Sequence, residues 1–454
     1  MKETTVSNDI SRRSLLKASY MAAPAAFHIV KPHLVRGAGK EKLKVGLVGC
    51  GGRGTSAVFE LMASSDNVEL TAMADVFEDK LEGSLNRLRN DRNQLKRFAG
   101  QTVLRDGKPH TVTVEDLEKK LQANIKVAPD RHFVGQDAFK KLLATDIDAV
   151  LLVTPPGHRP LHFEAAIEAK KHVFLEKPVA TDPVGARRVI AAGRKARELG
   201  LTVVSGTEMR YTPQYIETVE RIHSGAIGDI TAAYAYWYGT AIFHASERKA
   251  GWSEIDWQHR NWYSFIWICG DQLVEQQVHR IDLVDWIMQS HPIKAIGNGG
   301  RAWRRDDNPV HGDVFDIMDV EFTYPNGVKL VSMSRHYPEY KHLPSRNGAE
   351  VVGAKGRSNG QDMARTKTNT IGGMEEQSRL VNSIRGDGPY INNTLEVAES
   401  TMVCIMGREA AYSGQEITWD QVMKSQLDLY PKDLGPGVEI PVPKRPIPGE
   451  YRFL

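Results

Sequence analysis

The sequence predicts an α/β protein in which a doubly wound parallel sheet precedes a domain with a largely antiparallel sheet. Three observations predict this class. A glycine-rich turn follows an apolar segment near residue 48, apolar and helical segments alternate from 44 to about 206, and aromatic-rich segments of alternating polarity follow. With 454 residues, 41% of them hydrophobic, the chain can bury the cores of two or three domains.

The glycine-rich turn has the GxGxxG pattern and lies between an apolar run at 43–48 and a helical segment at 55–64. Its residues are Gly49, Gly51, Gly52, Arg53 and Gly54. In a strand, turn and helix of this kind, the backbone can approach a pyrophosphate, and unpaired N–H groups of the helix point towards it. The pattern predicts a dinucleotide site. The alternative is a glycine turn that holds no nucleotide.

A second apolar strand at 68–74 ends at Asp75, 21 residues after Gly54. A carboxylate at this distance accepts hydrogen bonds from the hydroxyls of the adenosine ribose and repels a 2′-phosphate. We therefore expect NAD rather than NADP as the cofactor.

The remaining strands of the first domain are expected at 147–154, 173–177 and 201–206, with helices at 161–170 and 183–199. The second domain has alternating strands at 230–239, 316–324 and 328–336 and a helix at 393–413. The predicted organisation is a leader and linker at 1–40, a Rossmann domain at 41–210 with a polar insertion at about 81–131, a substrate and oligomerisation domain at 211–413, and a C-terminal arm at 414–454.

Charge and cysteine content exclude several classes of function. The formal net charge is +3 and no basic run stands out, so nucleic acid is not an expected partner. Cys50, Cys269 and Cys404 are odd in number and form no CxxC pair. Neither a disulfide framework nor a thiolate metal site is indicated.

The first residues are expected to direct export. Residues 11–17, which include Arg12 and Arg13, resemble a twin-arginine signal, and the apolar stretch at 18–30 is too short to span a membrane. We expect an exported, periplasmic protein whose mature form has no membrane span. The alternative is a basic arm without a targeting role.

Lys177 stands at the carboxyl end of the expected strand at 173–177 and precedes Pro178. Ligands of open parallel sheets bind beyond the carboxyl ends of the strands, so the lysine is placed near the nicotinamide. Its ammonium group can donate to a substrate hydroxyl, and burial can lower its pKa until it moves protons. The alternative is a solvated lysine at a strand end.

Glu275, His279 and Asp282 fall on one stripe of a predicted helix. A carboxylate one turn before an imidazole can orient it as a general base for a hydroxyl proton. The other interpretations are a plain polar helix face or a metal site. No further clustered ligand supports the metal, so no metal is expected.

The order of GxGxxG, Asp75, Thr154-Pro155, Glu176-Lys177-Pro178 and the His279 helix resembles the Gfo/Idh/MocA oxidoreductases, over residues 42–421. The resemblance implies a Rossmann domain followed by an α/β domain whose open, mainly antiparallel sheet is usually used for oligomerisation. Lys177 matches the lysine that contacts the reacting hydroxyl, and His279 matches the catalytic histidine. Glu275 stands where the family usually has Asp, and Asp271 where many members have Gly.

The segment from Thr154 and Pro155 to His158 resembles the family's loop over the nicotinamide ribose, and Glu176 is placed at the same cofactor site. His158 and His162 are four residues apart. A metal pair is less favoured there than one cofactor-loop residue and one helix-face residue.

Six of the eight tryptophans lie between 237 and 286, mixed with hydrogen-bonding side chains. Flat apolar faces beside such groups suit a pyranose ring, whereas the alternative is packing in a core or an interface. The candidate substrate-binding residues are Arg210, Trp257, Arg260, Trp262 and Asp282.

These observations predict an exported NAD-dependent dehydrogenase of a sugar, glycoside or polyol, assembled as a homo-oligomer. An exchangeable NAD pool is not expected outside the cytoplasm, so the cofactor would be held tightly and recycled in place. One alternative is an NAD-dependent glycosidase that oxidises transiently, eliminates and re-reduces. A second is a non-catalytic sugar-binding protein that retains NAD.

Overall fold

The computed structural model describes residues 41–106, 108–240, 246–339, 342–435 and 438–453. The predicted export signal lies outside the described residues. Within them, no helix combines the length and apolar character needed to cross a membrane.

The first half of the chain builds a six-stranded parallel sheet in the order β5-β2-β1-β6-β7-β8. Its strands and a separate β3–β4 hairpin are β1 (Leu43–Val48), β2 (Val68–Asp75), β3 (Thr102–Arg105), β4 (Lys108–Thr111), β5 (His132–Val134), β6 (Ala149–Leu152), β7 (His172–Leu175) and β8 (Val203–Ser205). The helices are α1 (Gly52–Ser64), α2 (Glu78–Asn90), α3 (Arg92–Phe98), α4 (Val114–Asn124), α5 (Ala138–Leu143), α6 (Arg159–Glu168) and α7 (Pro183–Glu198). The predicted parallel sheet is confirmed.

The strand order changes direction between β1 and β6, which are neighbours in the sheet but are far apart in sequence. A crevice forms at such a point, beyond the carboxyl ends of the strands. The turns after β1, β2, β6 and β7 therefore meet at one edge and bring the glycine turn, Asp75, Thr154 and Lys177 to the same place.

The polar insertion covers α1 of the first domain. Leu85, Phe98, Val103 and Leu117 are buried in the same cluster as Phe59 of α1. The rings of Phe59 and Phe98 stack with centroids 5.9 Å apart. The apolar residues of the segment thus extend the core of the first domain.

The second half contains a seven-stranded sheet in the order β14-β13-β9-β12-β11-β10-β15, in which only the β9–β12 pairing is parallel. The strands are β9 (Ile230–Thr240), β10 (Lys294–Gly300), β11 (Ile317–Thr323), β12 (Lys329–Tyr337), β13 (Arg346–Gly353), β14 (Gly356–Ser358) and β15 (Ile417–Thr418). The helices are α8 (Pro213–His223), α9 (Glu254–Arg260), α10 (Ile266–Cys269), α11 (Val278–Met288), α12 (Gly372–Arg385), α13 (Thr394–Ser413) and α14 (Trp419–Lys424). The predicted, mainly antiparallel sheet is confirmed.

Two helices near the end of the chain connect the two sheets. α12 packs on α1, with Met374 and Leu380 buried in the first domain's core. α13 lies on the second sheet, where a Cβ on Gly407 would come within 2.5 Å of the Phe322 ring. The chain therefore returns to the first domain after it has built the second sheet.

Candidate active site

A cavity of about 1260 Å³ lies at the carboxyl end of the parallel sheet. The glycine turn and the ends of β2, β6 and β7 form one side of it. The second domain contributes the residues around Trp262 and Glu275, and a stretch of the C-terminal segment completes the wall. A single cavity thus contains most of the predicted cofactor and catalytic residues.

The glycine turn fits a dinucleotide. A Cβ on Gly54 would lie 1.9 Å from the carbonyl oxygen of Gly49, so only glycine allows α1 to begin this close to β1. A Cβ on Gly51 or Gly52 would meet no heavy atom within 4 Å. Open space therefore lies beside the uncapped N-terminus of α1, where N–H groups and the helix dipole favour a pyrophosphate.

Asp75 has a fixed carboxylate at the end of β2. Its Oδ2 accepts a hydrogen bond from the N–H of Cys50 at 2.7 Å, and its Oδ1 accepts one from the N–H of Phe77 at 2.9 Å. Burial raises the pKa of Asp75, and the two backbone donors oppose this rise. The side chain lines the cavity, where it can accept further hydrogen bonds from ribose hydroxyls.

Arg260 lies beside the Asp75 loop. Its guanidinium donates to both carboxylate oxygens of Asp79, at 2.7 and 3.1 Å, and lies 3.9 Å from the centroid of the Phe77 ring. The residue was predicted to bind substrate. It lines the cavity, and its long side chain also joins α9 of the second domain to the segment after β2.

Arg53 of the glycine turn is surrounded by three glutamates. It donates to Glu60 at 2.8 Å and to Glu176 at 3.2 Å, and it lies 3.9 Å from Glu376. Burial and the negative charge of Glu176 hold the pKa of Glu376 well above its usual range. Arg53 and Glu176 thus belong to one charge cluster at the cavity wall, in which the three glutamates are buried. Glu60 and Glu376 of this cluster were not predicted.

Lys177 and Glu275 form a buried pair, with side chains 9% and 7% exposed. The Lys177 ammonium donates to the main-chain oxygen of Glu275 at 2.6 Å and to its Oε2 at 3.3 Å. Gln276 also donates to this Oε2, at 2.7 Å. Burial raises the pKa of Glu275, and the positive charge of Lys177 opposes the rise.

The predicted contact of Glu275 with His279 is wrong. Residues Leu273–Gln277 form a π-helical turn before α11. Its backbone hydrogen bonds join residues five apart rather than four, so a side chain no longer shares a face with the residue four positions later. Glu275 consequently faces Lys177. No pattern in the amino-acid sequence distinguishes this turn from the α-helix that was expected.

His279 lines the cavity beside this pair. Its ring is nearly parallel to that of Trp237, with centroids 6.4 Å apart, and its Nδ1 has no hydrogen-bond partner in the part of the chain that the structure describes. Burial, followed by the charges of Lys177 and Arg280, lowers the pKa of His279 well below its usual value. Burial and the neighbouring cations therefore favour the neutral form of the imidazole.

The loop from Thr154 to His158 lines the cavity and is held by Arg159. The Arg159 guanidinium donates to the carbonyl oxygen of Thr154 at 2.7 Å and to that of Pro178. It thereby joins the loop to the turn that presents Lys177. His158 and His162 contact neighbouring side chains, and no group of three or more potential metal-binding side chains occurs across the described ranges.

The substrate-binding predictions divide in two. Trp262 lines the cavity and stacks on Tyr263, which lines it too, with ring centroids 3.8 Å apart. Tyr263 was missed, although it stands in the same aromatic cluster.

Three predicted substrate-binding residues do not line the cavity. Arg210 forms a bidentate pair with Asp282, at 2.8 and 2.9 Å, and the Asp282 side chain is only 1% exposed. Trp257 is buried against Phe265 and donates its indole N–H to Ser246. These polar groups are already satisfied within the protein, so their role in the described structure is packing.

Comparison with known proteins agrees with this geometry. Residues 43–205 match the model of the GFO_IDH_MocA family, described as an oxidoreductase family with an NAD-binding Rossmann fold. The match confirms the family resemblance and the prediction that the first domain binds NAD.

Two curated relatives are inositol dehydrogenases. The scyllo-inositol 2-dehydrogenase (NAD(+)) of Bacillus subtilis (strain 168) is 34% identical over 224 residues, which are 49% of this chain and 57% of the relative. The inositol 2-dehydrogenase of Rubrobacter xylanophilus is 26% identical over 248 residues, 54% of this chain and 62% of the relative. Each match thus spans less than two thirds of the relative's own length.

Solved structures show that the fold extends over both domains. Scyllo-inositol dehydrogenase from Lactobacillus casei, with bound NAD(H) and scyllo-inositol, matches with a TM-score of 0.57 and 17% identity over 83% of this chain and 99% of its own. The aldose-aldose oxidoreductase from Caulobacter crescentus, complexed with glycerol, has a TM-score of 0.56 and 16% identity over 83% of this chain and 100% of its own.

Replacing Asp75 with Ser tests the adenosine end of the site. We expect NADH affinity to fall about tenfold or more, because hydrogen bonds to the ribose are lost. NADPH affinity should rise, because the carboxylate that repels a 2′-phosphate is gone. Fluorescence titration with both cofactors measures the change, with Asp420→Ser on exposed α14 as the control. An unchanged ratio of the two affinities would contradict the role of Asp75.

Proposed function

We propose, since residues 43–205 belong to the Gfo/Idh/MocA oxidoreductase family, that this protein oxidises a carbinol carbon of a sugar, glycoside or polyol with NAD. The observation that carries the proposal is the meeting of Lys177, Glu275 and His279 in the cavity that also contains the glycine turn. The names of the relatives, inositol dehydrogenases among them, support a polyhydroxylated substrate.

When bound, NAD supplies an acceptor for the hydride that leaves the carbinol carbon. The protein's residues deal with the accompanying proton. As the carbon loses hydride and the C=O bond forms, the hydroxyl proton passes to His279, whose imidazole lines the cavity beside Lys177 and is held in its neutral form. The products are a carbonyl compound, reduced cofactor and one proton.

Lys177 holds the hydroxyl oxygen during this step. An ammonium group has three donors, and the contacts with Glu275 use two of them. The third can donate to the substrate oxygen and stabilise the negative charge that develops on it. Glu275 keeps the Lys177 side chain at this position and balances its charge.

Trp262 and Tyr263 supply the flat surface that a sugar or cyclic polyol needs. Their stacked rings lie at the cavity wall, and the Tyr263 hydroxyl receives a hydrogen bond from Gln276 at 3.3 Å. Because Gln276 also contacts Glu275, this surface is connected to the catalytic pair. A ring with an apolar C–H face and outward hydroxyls is the ligand class that suits it.

Export through the twin-arginine route to the periplasm is part of the proposal, on the strength of Arg12 and Arg13. We expect a chain in which both are replaced by Lys to stay in the cytoplasm of a host with this route, while Lys17→Arg reaches the periplasm. Fractionation and immunoblotting measure the distribution. Equal distribution of the two variants would refute export by this route.

A homo-oligomer is also part of the proposal. The second sheet carries three neighbouring tyrosines on β9. The rings of Tyr234 and Tyr236 are parallel and those of Tyr236 and Tyr238 meet edge to face, and Arg346 lies 3.4 Å from the ring centroid of Tyr236. Such a surface, rich in aromatic rings and arginine, has the composition of a protein interface. Light scattering of the purified protein gives its molar mass in solution. The mass of a single chain would contradict the proposed homo-oligomer.

A redox-neutral glycosidase is the second candidate, favoured by the export pattern because a cofactor carried out of the cytoplasm must be regenerated in place. Purified protein given aryl glycosides separates the two functions. Aglycone release without net NADH would establish the glycosidase and refute the net dehydrogenase. NADH formation from a polyol without aglycone release would establish the net dehydrogenase and refute the glycosidase. Retained NAD with neither reaction would indicate the non-catalytic sugar-binding protein.

Lys177→Met and His279→Asn test the catalytic assignment. We expect kcat/KM to fall by about 10²–10⁴-fold in each, because a positioned proton donor or base is lost. NADH binding should stay within about threefold of the wild type, since the glycine turn and Asp75 are intact. Lys424→Met, on exposed α14, is the matched control.

The pH profile of the wild type is the second readout. Because the pKa of His279 lies well below that of a free histidine, about 6.5, the neutral base persists as the pH falls through that value. No loss of kcat/KM from this group is expected until the pH is well below 6.5. Wild-type activity in both Lys177→Met and His279→Asn would refute the assignment of catalytic roles to these two residues.

A further inference from the structure

The C-terminal segment forms part of the cavity wall. Six consecutive residues, Tyr430–Gly435, line the cavity together with the glycine turn and Asp75, and we refer to them as the strap. They are distant in sequence from both, and no motif connects them with a cofactor. Their position at this site is therefore not explained by the fold of the first domain.

The strap is anchored to both domains. Just before it, the N–H of Leu429 donates to Asp182 Oδ2 at 3.1 Å, and Asp182 also caps α7 of the first domain. Leu429, Tyr430 and Leu434 pack against the buried aromatic cluster of the second domain that contains Trp257 and Trp267. The rings of Tyr430 and Trp267 meet edge to face, with centroids 6.1 Å apart.

A chain of hydrogen bonds joins the strap to the cofactor loop. His259 Nδ1 is 2.7 Å from the carbonyl oxygen of Ile255, which can only accept, so this nitrogen carries the proton. The Nε2 of neutral His259 then accepts from His158 Nε2 at 2.9 Å. His158 Nδ1 is left as an acceptor for the Tyr430 hydroxyl, 3.1 Å away. Burial lowers the pKa of both histidines, which keeps them neutral.

Each donor in this series of hydrogen bonds has a single acceptor, so the direction of every bond from Tyr430 to Ile255 is fixed. The series connects the loop after β6, helix α9 and the strap at the point where all three border the cavity. Separation of the strap would break the hydrogen bond between Tyr430 and His158 Nδ1 and the ring contact between the two residues.

We propose that the strap is a retaining element for the dinucleotide, and that Tyr430 holds it closed through His158. The inference rests on the proposed function, because it assumes that the cavity binds NAD(H). Departure of a ligand from the cavity then requires the Tyr430 hydroxyl to leave His158 and the strap to separate from the aromatic cluster. The strap also brings the side chains of Lys432 and Asp433 to the cavity wall.

Release of NADH from the full-length protein tests this proposal without any turnover. The protein is loaded with NADH and mixed with excess ADP-ribose, and the loss of bound-NADH fluorescence gives the dissociation rate. Tyr430→Phe removes the one hydrogen bond and should release NADH about five to ten times faster than the wild type. Tyr430→Ala, which also removes the ring from the cluster, should release it faster still.

Tyr390→Phe is the matched control, because the Tyr390 hydroxyl also donates to a buried partner, the Leu201 carbonyl, but lies outside the cavity. Its release rate should equal that of the wild type, and thermal melting of each variant without NADH verifies that it is folded. If NADH binds and both Tyr430 variants release it at the wild-type rate, the strap is not a retaining element. If the wild type binds no NADH, the proposed function fails as well.

Discussion

The buried pair of Lys177 and Glu275 is the interaction on which the rest of the site depends. Lys177 comes from the end of β7 in the parallel sheet, whereas Glu275 comes from the π-helical turn of the second domain. Both charges have left water, and removing one partner from a buried pair costs about 3–5 kcal/mol because the other is left uncompensated. The pair therefore fixes where the two domains meet and places the lysine beside His279.

A second buried charge supports both sides of this contact. Arg408 of α13 is fully buried and paired with Glu409. It donates to the carbonyl oxygen of Thr181, four residues after Lys177, and to that of Gly270, five residues before Glu275. One guanidinium thus holds the backbone on either side of the Lys177–Glu275 pair. The geometry of the site follows from α13, which packs on the second sheet, as much as from the residues that line the cavity.

Sequence patterns within short segments predicted the parts of the site that such segments determine by themselves. The glycine turn, Asp75 and Lys177 follow from a strand and the turn after it, and the structure brings all three to one cavity. Contacts between distant segments were not predictable. Glu376 and the strap reach the site from far along the chain, and the π-helical turn that redirects Glu275 has no sequence pattern. Arg210 and Asp282 were misassigned because a sequence does not reveal that two polar residues satisfy each other in a core.

We expect one cavity to bring a carbinol carbon to NAD beside Lys177. The most direct test uses inositols and aldoses deuterated at their carbinol carbons, incubated with the protein and NAD, followed by mass spectrometry of the cofactor after quenching. With the wild type, we expect deuterium from at least one of these compounds to enter the nicotinamide ring, whether turnover is net or redox-neutral. With Lys177→Met, we expect none. No deuterium in the cofactor with the wild type, or equal labelling with the variant, would contradict it.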